Sequence, residues 1–318
     1  MENEHMRTRG AAKTAFIEAL KRQRPLLLDG GLATQLEAQG CDLDNTLWSA
    51  SMLLDDPQAI VDASLAYLEA GAECIATASY QASREGFAKL GHAADEADRL
   101  MLLSVELAVR ARDEFAVGKA GTRPLVAASI GPYGAMLHDG SEYTGNYGVS
   151  NEVLRLFHEE RLQLFDGSEA DVLAVETIPS LPEARVLAEL LGACDTPAWI
   201  SFSCRNGRQI SDGTPLAEVA ALFAGHPTVV AVGINCTPPQ YATALIRILR
   251  ETLPDKAVIA YPNSGEKFNV SDNAWSGEVV ALTALEWVEA GAKVIGGCCR
   301  VGPEQIRAMA AGLMENQR

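Results

Sequence analysis

The amino-acid sequence predicts an α/β fold, a (β/α)8 TIM barrel with a short extra N-terminal helix. Eight short apolar runs rich in β-branched residues recur along the 318 residues, and each is followed by an amphipathic helical pattern. The runs are mostly continuous rather than alternating, which is typical of parallel strands buried on both faces. No Pro- or Ser-rich linker divides the chain, so one barrel of eight βα units accounts for the pattern. A doubly wound sheet is the alternative, but DGGLATQL after the first run lacks the GxGxxG spacing of that fold.

The predicted elements alternate from one end of the chain to the other. The strands are expected at 25–31, 73–80, 124–134, 171–179, 197–204, 228–236, 257–265 and 292–299. The helices are expected at Ala11–Arg22, Pro57–Ala70, Ala93–Val117, Asn151–Phe165, Leu181–Leu191, Pro215–Phe223, Gln240–Leu253, Gly277–Ala290 and Pro303–Met314. Several begin with capping signals such as SNEVL and end at glycine, as in EAGAE. We expect residues 1–10 to be a flexible N-terminus and residues 11–318 to be a single barrel domain.

Composition excludes several classes of function. The formal net charge is −16 and the sequence pI is about 4.8. Such a chain is repelled by nucleic-acid phosphates and anionic lipids, so we expect neither nucleic acid nor membrane as a partner. No apolar stretch approaches the roughly 18 residues of a membrane helix, and the N-terminus has no signal core, which predicts a cytoplasmic protein. Seven irregularly spaced cysteines then indicate metal ligands or catalytic groups rather than a disulfide framework.

Polar residues collect where the predicted strands finish. In a barrel these carboxyl ends build the active site. The residues there include Asp29-Gly30-Gly31 after the first strand, Glu176-Thr177 after the fourth, Asn235-Cys236 after the sixth and Cys298-Cys299 after the eighth. We therefore expect the chemistry of this protein to lie at that end of the barrel.

Three cysteines are candidate ligands of one metal ion. Cys236 and the pair Cys298-Cys299 end strands that a single strand separates around the barrel, so their side chains could converge. Three thiolates favour Zn²⁺ and leave a fourth position open, the pattern of catalytic sites. Gly296-Gly297 would let the chain bend so that both neighbours face the ion. Buried core thiols are the alternative, and Cys204 is either a fourth candidate or unrelated.

A zinc site with three thiolates suits a thiol substrate. A metal lowers the pKa of a bound thiol, so alkyl transfer to that sulfur is the natural reaction. Glu176 and Asp29 could bind an α-ammonium group, and the backbone amides of Gly30, Gly31 and Leu32 could bind an α-carboxylate. A plain turn at Asp29-Gly30-Gly31 and a cap or ion pair at Glu176 are the alternatives.

A long polar loop follows the third predicted strand. GPYGAMLHDGSEYTGNYG holds Tyr133, Tyr143 and Tyr147 together with Asp139 and Glu142. Aromatic rings and carboxylates recognise cationic groups such as a sulfonium. The loop is therefore a candidate lid or methyl-donor pocket, and a solvated loop with packed tyrosines is the alternative.

Several segments together resemble the homocysteine S-methyltransferase family. They are LLLDGGLATQLEAQG, LWSA, YLEAGAECIATASYQAS, GPYGAMLHDGSEYTGNYG, AVETIPSLPEA, VGINCTPP and VIGGCCR, which run from the first strand to the eighth. The resemblance implies zinc bound by Cys236, Cys298 and Cys299. It implies homocysteine binding around Asp29, Gly30, Gly31 and Glu176, to which we add Thr177 and Asn235. The methyl-donor pocket is expected to include Gln81, Tyr133, Glu142 and Tyr143.

The resemblance also implies a mechanism and a branch of the family. The nucleophile would be the thiolate of homocysteine held at the metal, with no separate protein nucleophile. The loop sequence DGSEYTGNYG looks like the branch that uses S-methylmethionine or S-adenosylmethionine, although His138 stands where that branch is expected to have a small residue. The betaine branch carries a C-terminal extension for oligomerisation; the chain ends 18 residues after Arg300, and we expect a monomer. A different donor, a selenium acceptor and a catalytically silent zinc-binding relative are the alternatives.

Overall fold

Parallel strands form the centre of the molecule. Within residues 14–45, 47–119, 123–269 and 274–315, which the computed structural model describes, eight parallel strands make one sheet. They are β1 (Leu26–Leu27), β2 (Cys74–Ala76), β3 (Leu125–Ile130), β4 (Val172–Ile178), β5 (Ala198–Phe202), β6 (Val229–Asn235), β7 (Ala257–Tyr261) and β10 (Ala292–Ile295). Between β7 and β10 lies an antiparallel hairpin of β8 (Lys267–Asn269) and β9 (Ala274–Ser276).

Helices surround the sheet and connect its strands. They are α1 (14–20), α2 (Leu32–Ala38), α3 (Met52–Asp55), α4 (Pro57–Glu69), α5 (Arg84–Ala88), α6 (Ala94–Ala116), α7 (Tyr133–Leu137), α8 (Asn151–Asp166), α9 (Leu181–Leu191), α10 (Leu216–Ala221), α11 (Ala242–Thr252), α12 (Ala284–Glu289) and α13 (Pro303–Glu315). Short 3-10 turns lie at Trp48–Ser51, Ser141–Tyr143 and Pro239–Tyr241. None of the helices in the described ranges is long and apolar enough to cross a membrane.

The sheet closes on itself. Its strand order is β1-β10-β7-β6-β5-β4-β3-β2, and a parallel bridge between Leu28 and Cys74 joins the two outer strands. The amide of Asp29 donates to the carbonyl of Cys74 at 3.0 Å across this seam. The predicted (β/α)8 barrel is therefore confirmed, and every strand delivers its carboxyl end to the same rim.

The core has two layers. One layer fills the barrel interior and includes Phe16, Trp199 and Tyr261, while the larger one lies between the strands and the outer helices. The ring of Phe16 on α1 lies 5.5 Å from that of Trp199. The extra N-terminal helix therefore contributes to the barrel core through its apolar side chains.

The region between β7 and α12 differs from the sequence-based prediction. A helix was expected over Gly277–Ala290, but α12 begins only at Ala284. Gly277 has a φ of 111°, which a right-handed helix does not accommodate. The amide of Val280 donates to the carbonyl of Ser264 at 2.7 Å instead of joining a helix. The expected flexible segment 1–10 lies outside the described residues, so the division into that segment and one domain over 11–318 remains a prediction.

Close packing within the sheet demands glycine at position 233. Gly233 on β6 pairs with Ile259 on β7. A Cβ atom at this position would lie 2.0 Å from the carbonyl oxygen of Ile259 and 2.2 Å from its Cγ2. At this position β6 and β7 therefore approach each other so closely that a side chain on residue 233 does not fit between them.

We predict that Gly233→Ala destabilises the protein by about 1–3 kcal/mol, because the added methyl group forces the two strands apart. The matched control is Gly312→Ala on α13, where a Cβ would meet nothing within 4 Å. That control should stabilise the helix by about 0.5–1 kcal/mol. Urea unfolding midpoints of the two variants and the wild type measure both effects; equal midpoints for both variants would contradict the prediction.

Candidate active site

Three cysteine sulfurs meet at the carboxyl end of the barrel. Cys236 follows β6, and Cys298 and Cys299 lie beyond β10, with β7 between these strands in the sheet. The three Sγ atoms all lie within 4.8 Å of one another, and those of Cys236 and Cys299 are 3.5 Å apart. The structure thus brings together the three cysteines that the sequence analysis singled out.

The chain leaves β10 before it reaches the cysteine pair, which is why adjacent side chains can face one point. The amide of Cys298 donates to the carbonyl of Pro262 at 2.9 Å. The two preceding glycines serve close packing rather than a left-handed backbone. A Cβ at Gly296 would lie 2.6 Å from the Leu28 Cβ, and one at Gly297 would lie 2.2 Å from the Val301 Cγ1.

The spacing of the sulfurs fits a metal ion. Bonds of about 2.3 Å at a tetrahedral angle place two thiolate ligands about 3.8 Å apart, which the cluster nearly matches. Within the described ranges, this trio is the group of cysteine, histidine and acidic side chains whose ligand atoms are close enough to share an ion. Cys204 is not part of it: this buried thiol lies 3.8 Å from the carbonyl of Phe202, in the core.

Hydrogen bonds among the thiols concentrate negative charge on one sulfur. Those from Cys298 and Cys299 lower the pKa of Cys236 well below its usual value. The hydrogen bond with Cys236 raises the pKa of Cys299. The hydroxyl of Tyr143 lies 3.7 Å from the Cys236 Sγ, a further polar contact. The cluster therefore favours an anion that a cation would neutralise.

Two buried carboxyl groups face the same cavity. Asp29 and Glu176 are each 8% exposed. Burial raises the pKa of Asp29 to about 8 and that of Glu176 to about 7; the charge of Glu176 adds to the rise at Asp29, and the charge of Cys298 adds to the rise at Glu176. Both carboxyls are therefore protonated more easily than free carboxyls, and a positive charge bound beside them would favour their ionised forms.

Neighbouring groups orient these two carboxyls. Asp29 Oδ2 accepts a hydrogen bond from the amide of Ala76 at 2.7 Å. The hydroxyl of Tyr261 donates to Glu176 Oε2 at 2.9 Å, and that of Ser129 donates to Oε1. Neither Tyr261 nor Ser129 was predicted as a site residue. Their positions at or near strand ends were the available signal, but only the pairing of strands across the barrel shows what they contact.

Thr177 and Asn235, predicted as substrate contacts, bind mainly to each other. Asn235 Oδ1 accepts from the Thr177 amide at 2.7 Å and from the Ser201 hydroxyl at 2.8 Å. Asn235 Nδ2 donates to the Thr177 hydroxyl at 2.7 Å and lies 3.9 Å from the Cys298 Sγ. Thr177 has a φ of 62°. Both line the cavity, but their hydrogen bonds indicate that Asn235 holds a strained strand end and the cysteine cluster in position.

The turn after β1 offers fewer free amides than expected. The amide of Gly31 donates to the carbonyl of Val301 at 2.9 Å. The Tyr67 hydroxyl also lies 2.8 Å from the Gly31 carbonyl oxygen. Among the described residues no acceptor is found for the amides of Gly30 and Leu32. Both amides are therefore backbone donors that a carboxylate could bind.

A cavity of about 540 Å³ lies against the cysteines and both carboxyls. That size suits two small substrates side by side. Its aromatic wall includes Trp48 and Tyr80, whose ring centroids are 6.2 Å apart, as well as Tyr143 and Trp275. Trp48 and Tyr80 were not predicted as pocket residues, although both lie in the motifs that carry the family resemblance.

Three of the four residues predicted for the donor pocket line this cavity. Gln81, Glu142 and Tyr143 do so, and Gln81 Oε1 and Glu142 Oε2 are buried oxygens without a hydrogen-bond partner in the described part of the chain. Burial raises the pKa of Glu142 to about 7. The structure does not bring Tyr133 to the cavity: its ring packs 5.1 Å from Phe157 and 5.5 Å from Tyr147. His138 in the same loop is exposed to solvent and also lies among the residues that line the cavity.

Comparisons with known proteins agree with this geometry. The family model for homocysteine S-methyltransferase matches residues 26–313. The homocysteine S-methyltransferase YbgG of Bacillus subtilis (strain 168) is 47% identical over 295 residues, 90% of this chain and 93% of that protein. The homocysteine S-methyltransferase of Escherichia coli (strain K12) is 46% identical over 302 residues, with coverages of 92% and 96%.

A solved structure is similar over the same span. The metallated form of the homocysteine methyltransferase MmuM from Escherichia coli superposes with a TM-score of 0.83 at 44% identity, covering 92% of this chain and 98% of that one. Fold, site and sequence therefore lead to one assignment. This chain is a methyltransferase enzyme that belongs to the homocysteine S-methyltransferase family.

Proposed function

We propose that this enzyme transfers a methyl group from a sulfonium donor, S-methylmethionine or S-adenosylmethionine, to the thiol of L-homocysteine, giving methionine. The observation that carries the proposal is the three-sulfur cluster in the wall of a cavity that also holds two buried carboxyls. The bond between the donor sulfur and its methyl carbon breaks as a carbon–sulfur bond forms on homocysteine. The donor leaves as a neutral thioether, and the thiol proton is released.

We propose Zn²⁺ as the ion held by Cys236, Cys298 and Cys299. The soft donor set and the sulfur spacing support this choice over a hard cation such as Mg²⁺. When bound, the ion would lower the pKa of the acceptor thiol so that its thiolate exists at neutral pH. MmuM, the similar solved protein, is described as metallated.

The residues of this chain would bind the amino-acid part of homocysteine. The ammonium group would lie between Asp29 and Glu176, where two buried carboxyls lack a positive partner among the described residues. The amides of Gly30 and Leu32 would bind the carboxylate. Asn235 and Tyr261 would act indirectly, because they hold the cysteine cluster and Glu176 in place. Orientation of the acceptor sulfur is then set by the barrel itself.

The opposite wall would bind the methyl donor. A sulfonium is attracted to aromatic faces, and Trp48, Tyr80 and Tyr143 supply them. The buried oxygens of Gln81 and Glu142 add negative potential toward the same space. The leaving group is neutral, so this wall needs no proton donor. It needs only to hold the donor in line with the acceptor sulfur.

We predict that the purified enzyme methylates homocysteine with a sulfonium donor only when its metal is present, and not with betaine. The assay compares S-methylmethionine, S-adenosylmethionine and betaine, each with and without prior chelation. Cys298→Ser should lose the metal and more than about 100-fold in turnover, because it removes one ligand of three. The matched control is Cys194→Ser, a half-buried thiol outside the cluster, which should keep both.

Other results of this assay would select the alternatives. Turnover that survives complete metal removal would overturn the metal-dependent mechanism. Turnover with betaine alone would move the enzyme to another donor class, and preference for a selenol acceptor would change the acceptor. Metal and homocysteine binding without turnover on any donor would indicate a catalytically silent relative.

We predict that binding of the amino-acid group strengthens as pH rises from 6 to 8. Burial raises the pKa of Asp29 to about 8 and of Glu176 to about 7, so at pH 6 the free site holds protons that must leave before it can bind an ammonium. Methionine is a suitable probe because its thioether does not titrate in this range. Calorimetry should show binding at least about tenfold tighter at pH 8 than at pH 6, with proton release.

The control variants separate this effect from general titration. Asp29→Asn should weaken methionine binding and flatten the pH profile, because one titrating carboxyl is gone. Glu69→Gln, an exposed position on α4, should leave the profile unchanged. A pH-independent affinity in the wild type would contradict the assignment of the ammonium to these two carboxyls.

A further inference from the structure

A fully buried carboxylate outside the cavity fastens both ends of the loop that follows β3. Glu183 lies in the first turn of α9 and is 0% exposed. Its Oε1 accepts from the backbone amide of Tyr133 at 2.7 Å, and its Oε2 accepts from the hydroxyl of Tyr147 at 2.9 Å. One side chain thus binds two points of the loop that are 14 residues apart in sequence, counting from 133 to 147.

A histidine completes the set of donors around this carboxylate. His158 on α8 is 0% exposed, and its Nε2 lies 2.8 Å from Glu183 Oε1. Burial lowers the pKa of His158, which favours the neutral ring, and the tautomer that carries its proton on Nε2 donates to Glu183. An ionised carboxylate only accepts hydrogen bonds, and here three donors reach it. The arrangement gives a buried carboxyl group three hydrogen-bond donors, and Glu183 is not among the residues that line the cavity.

A buried arginine performs the complementary task at the start of the loop. Arg161 on α8 is 2% exposed, and its Nη1 donates to the carbonyl of Gly131 at 2.8 Å. Its Nη2 donates to the carbonyl of Tyr80 at 2.9 Å. The first residue of the loop is therefore tied to the segment after β2 that carries two cavity residues, Tyr80 and Gln81.

The loop itself is tightly packed, so its anchors decide where its tip lies. A Cβ at Gly134 would lie 2.5 Å from both the Glu142 amide nitrogen and the Tyr147 Cε1. The tip contributes Glu142 and Tyr143 to the cavity, and the Tyr143 hydroxyl lies 3.7 Å from the Cys236 Sγ. A shift of the anchors would therefore be passed directly to the donor side of the cavity.

We propose that Glu183 is a positioning residue for the methyl donor, acting through the loop 131–148 that it holds against the barrel. The proposal rests on the proposed methyl transfer to homocysteine. The same βα unit would then serve both substrates, since β4 carries Glu176 for the acceptor and α9 carries Glu183 for the donor wall. Misplacement of a reacting group by about 1 Å can cost about 100-fold in rate, so such an anchor has a measurable effect.

The experiment measures steady-state kinetics, homocysteine affinity and metal content of Glu183→Ala in the full chain. We expect kcat/KM for the donor to fall about 10- to 100-fold, while homocysteine affinity and metal content stay at wild-type values. Glu183→Gln should recover part of the loss, because an amide oxygen can still accept from Tyr133 and His158. The matched control is Glu189→Gln on the same helix, an exposed acid paired with Arg155, which should change nothing.

Amide hydrogen exchange of residues 133–147 gives a readout that does not depend on turnover. Faster exchange there in Glu183→Ala supports the proposal, whereas unchanged exchange and unchanged donor kcat/KM overturn it. An equal loss of homocysteine affinity and metal content also overturns it, because the role would then be general stability. If Glu183→Ala does not fold, Tyr147→Phe removes one anchor bond and should show the same split. A wild type without methyl transfer would instead overturn the proposed function.

Discussion

Crowded negative charge at the carboxyl end of the barrel is the constraint on which the site depends. Three sulfurs lie within 4.8 Å of one another, and two carboxyls share the same cavity. In a low-dielectric interior such charges repel strongly, and each raises the cost of ionising the next. Positive occupants relieve this repulsion. A metal cation, an ammonium and a sulfonium, the groups that the proposed reaction brings together, are all of that kind.

The barrel tolerates this concentration because a second layer of polar groups surrounds it. Tyr261 and Ser129 donate to Glu176 from inside the ring of strands. The side-chain amide of Asn235 bonds to Thr177 at the end of β4 through both its oxygen and its nitrogen. The nitrogen also lies 3.9 Å from the Cys298 Sγ. These side chains come from different strands, so their positions depend on strand register. A closed, tightly packed sheet provides that register with little freedom to relax.

Two sides of the cavity differ in how they are built. The side with the three cysteines and the two buried carboxyls lies at the ends of strands, which the sheet holds rigidly. The other side lies partly on the loop after β3, whose place is set by Glu183 and Arg161 on the outer helices. The amino-acid sequence of a cavity wall varies more readily when the wall is formed by a loop than when it is formed by a strand.

The sequence by itself determined the fold class and singled out the three cysteines that the structure brings together. Eight apolar runs alternating with amphipathic helices predicted the barrel, because buried strands and outer helices each carry their own periodicity. Strand-end positions picked out Cys236, Cys298 and Cys299 before any contact was known, since a barrel delivers all its strand ends to one rim.

Only the tertiary structure decided which polar groups face the cavity and which hold other residues in place. Asn235 bonds to Thr177, and the amide of Gly31 donates to the carbonyl of Val301. The ring of Tyr133 packs against Phe157, away from the cavity. The residue pair Glu183 and His158 gave no signal, because an acid and a histidine on helices normally indicate a solvated surface. These outcomes depend on contacts between residues distant in sequence, which periodicity and local motifs do not encode.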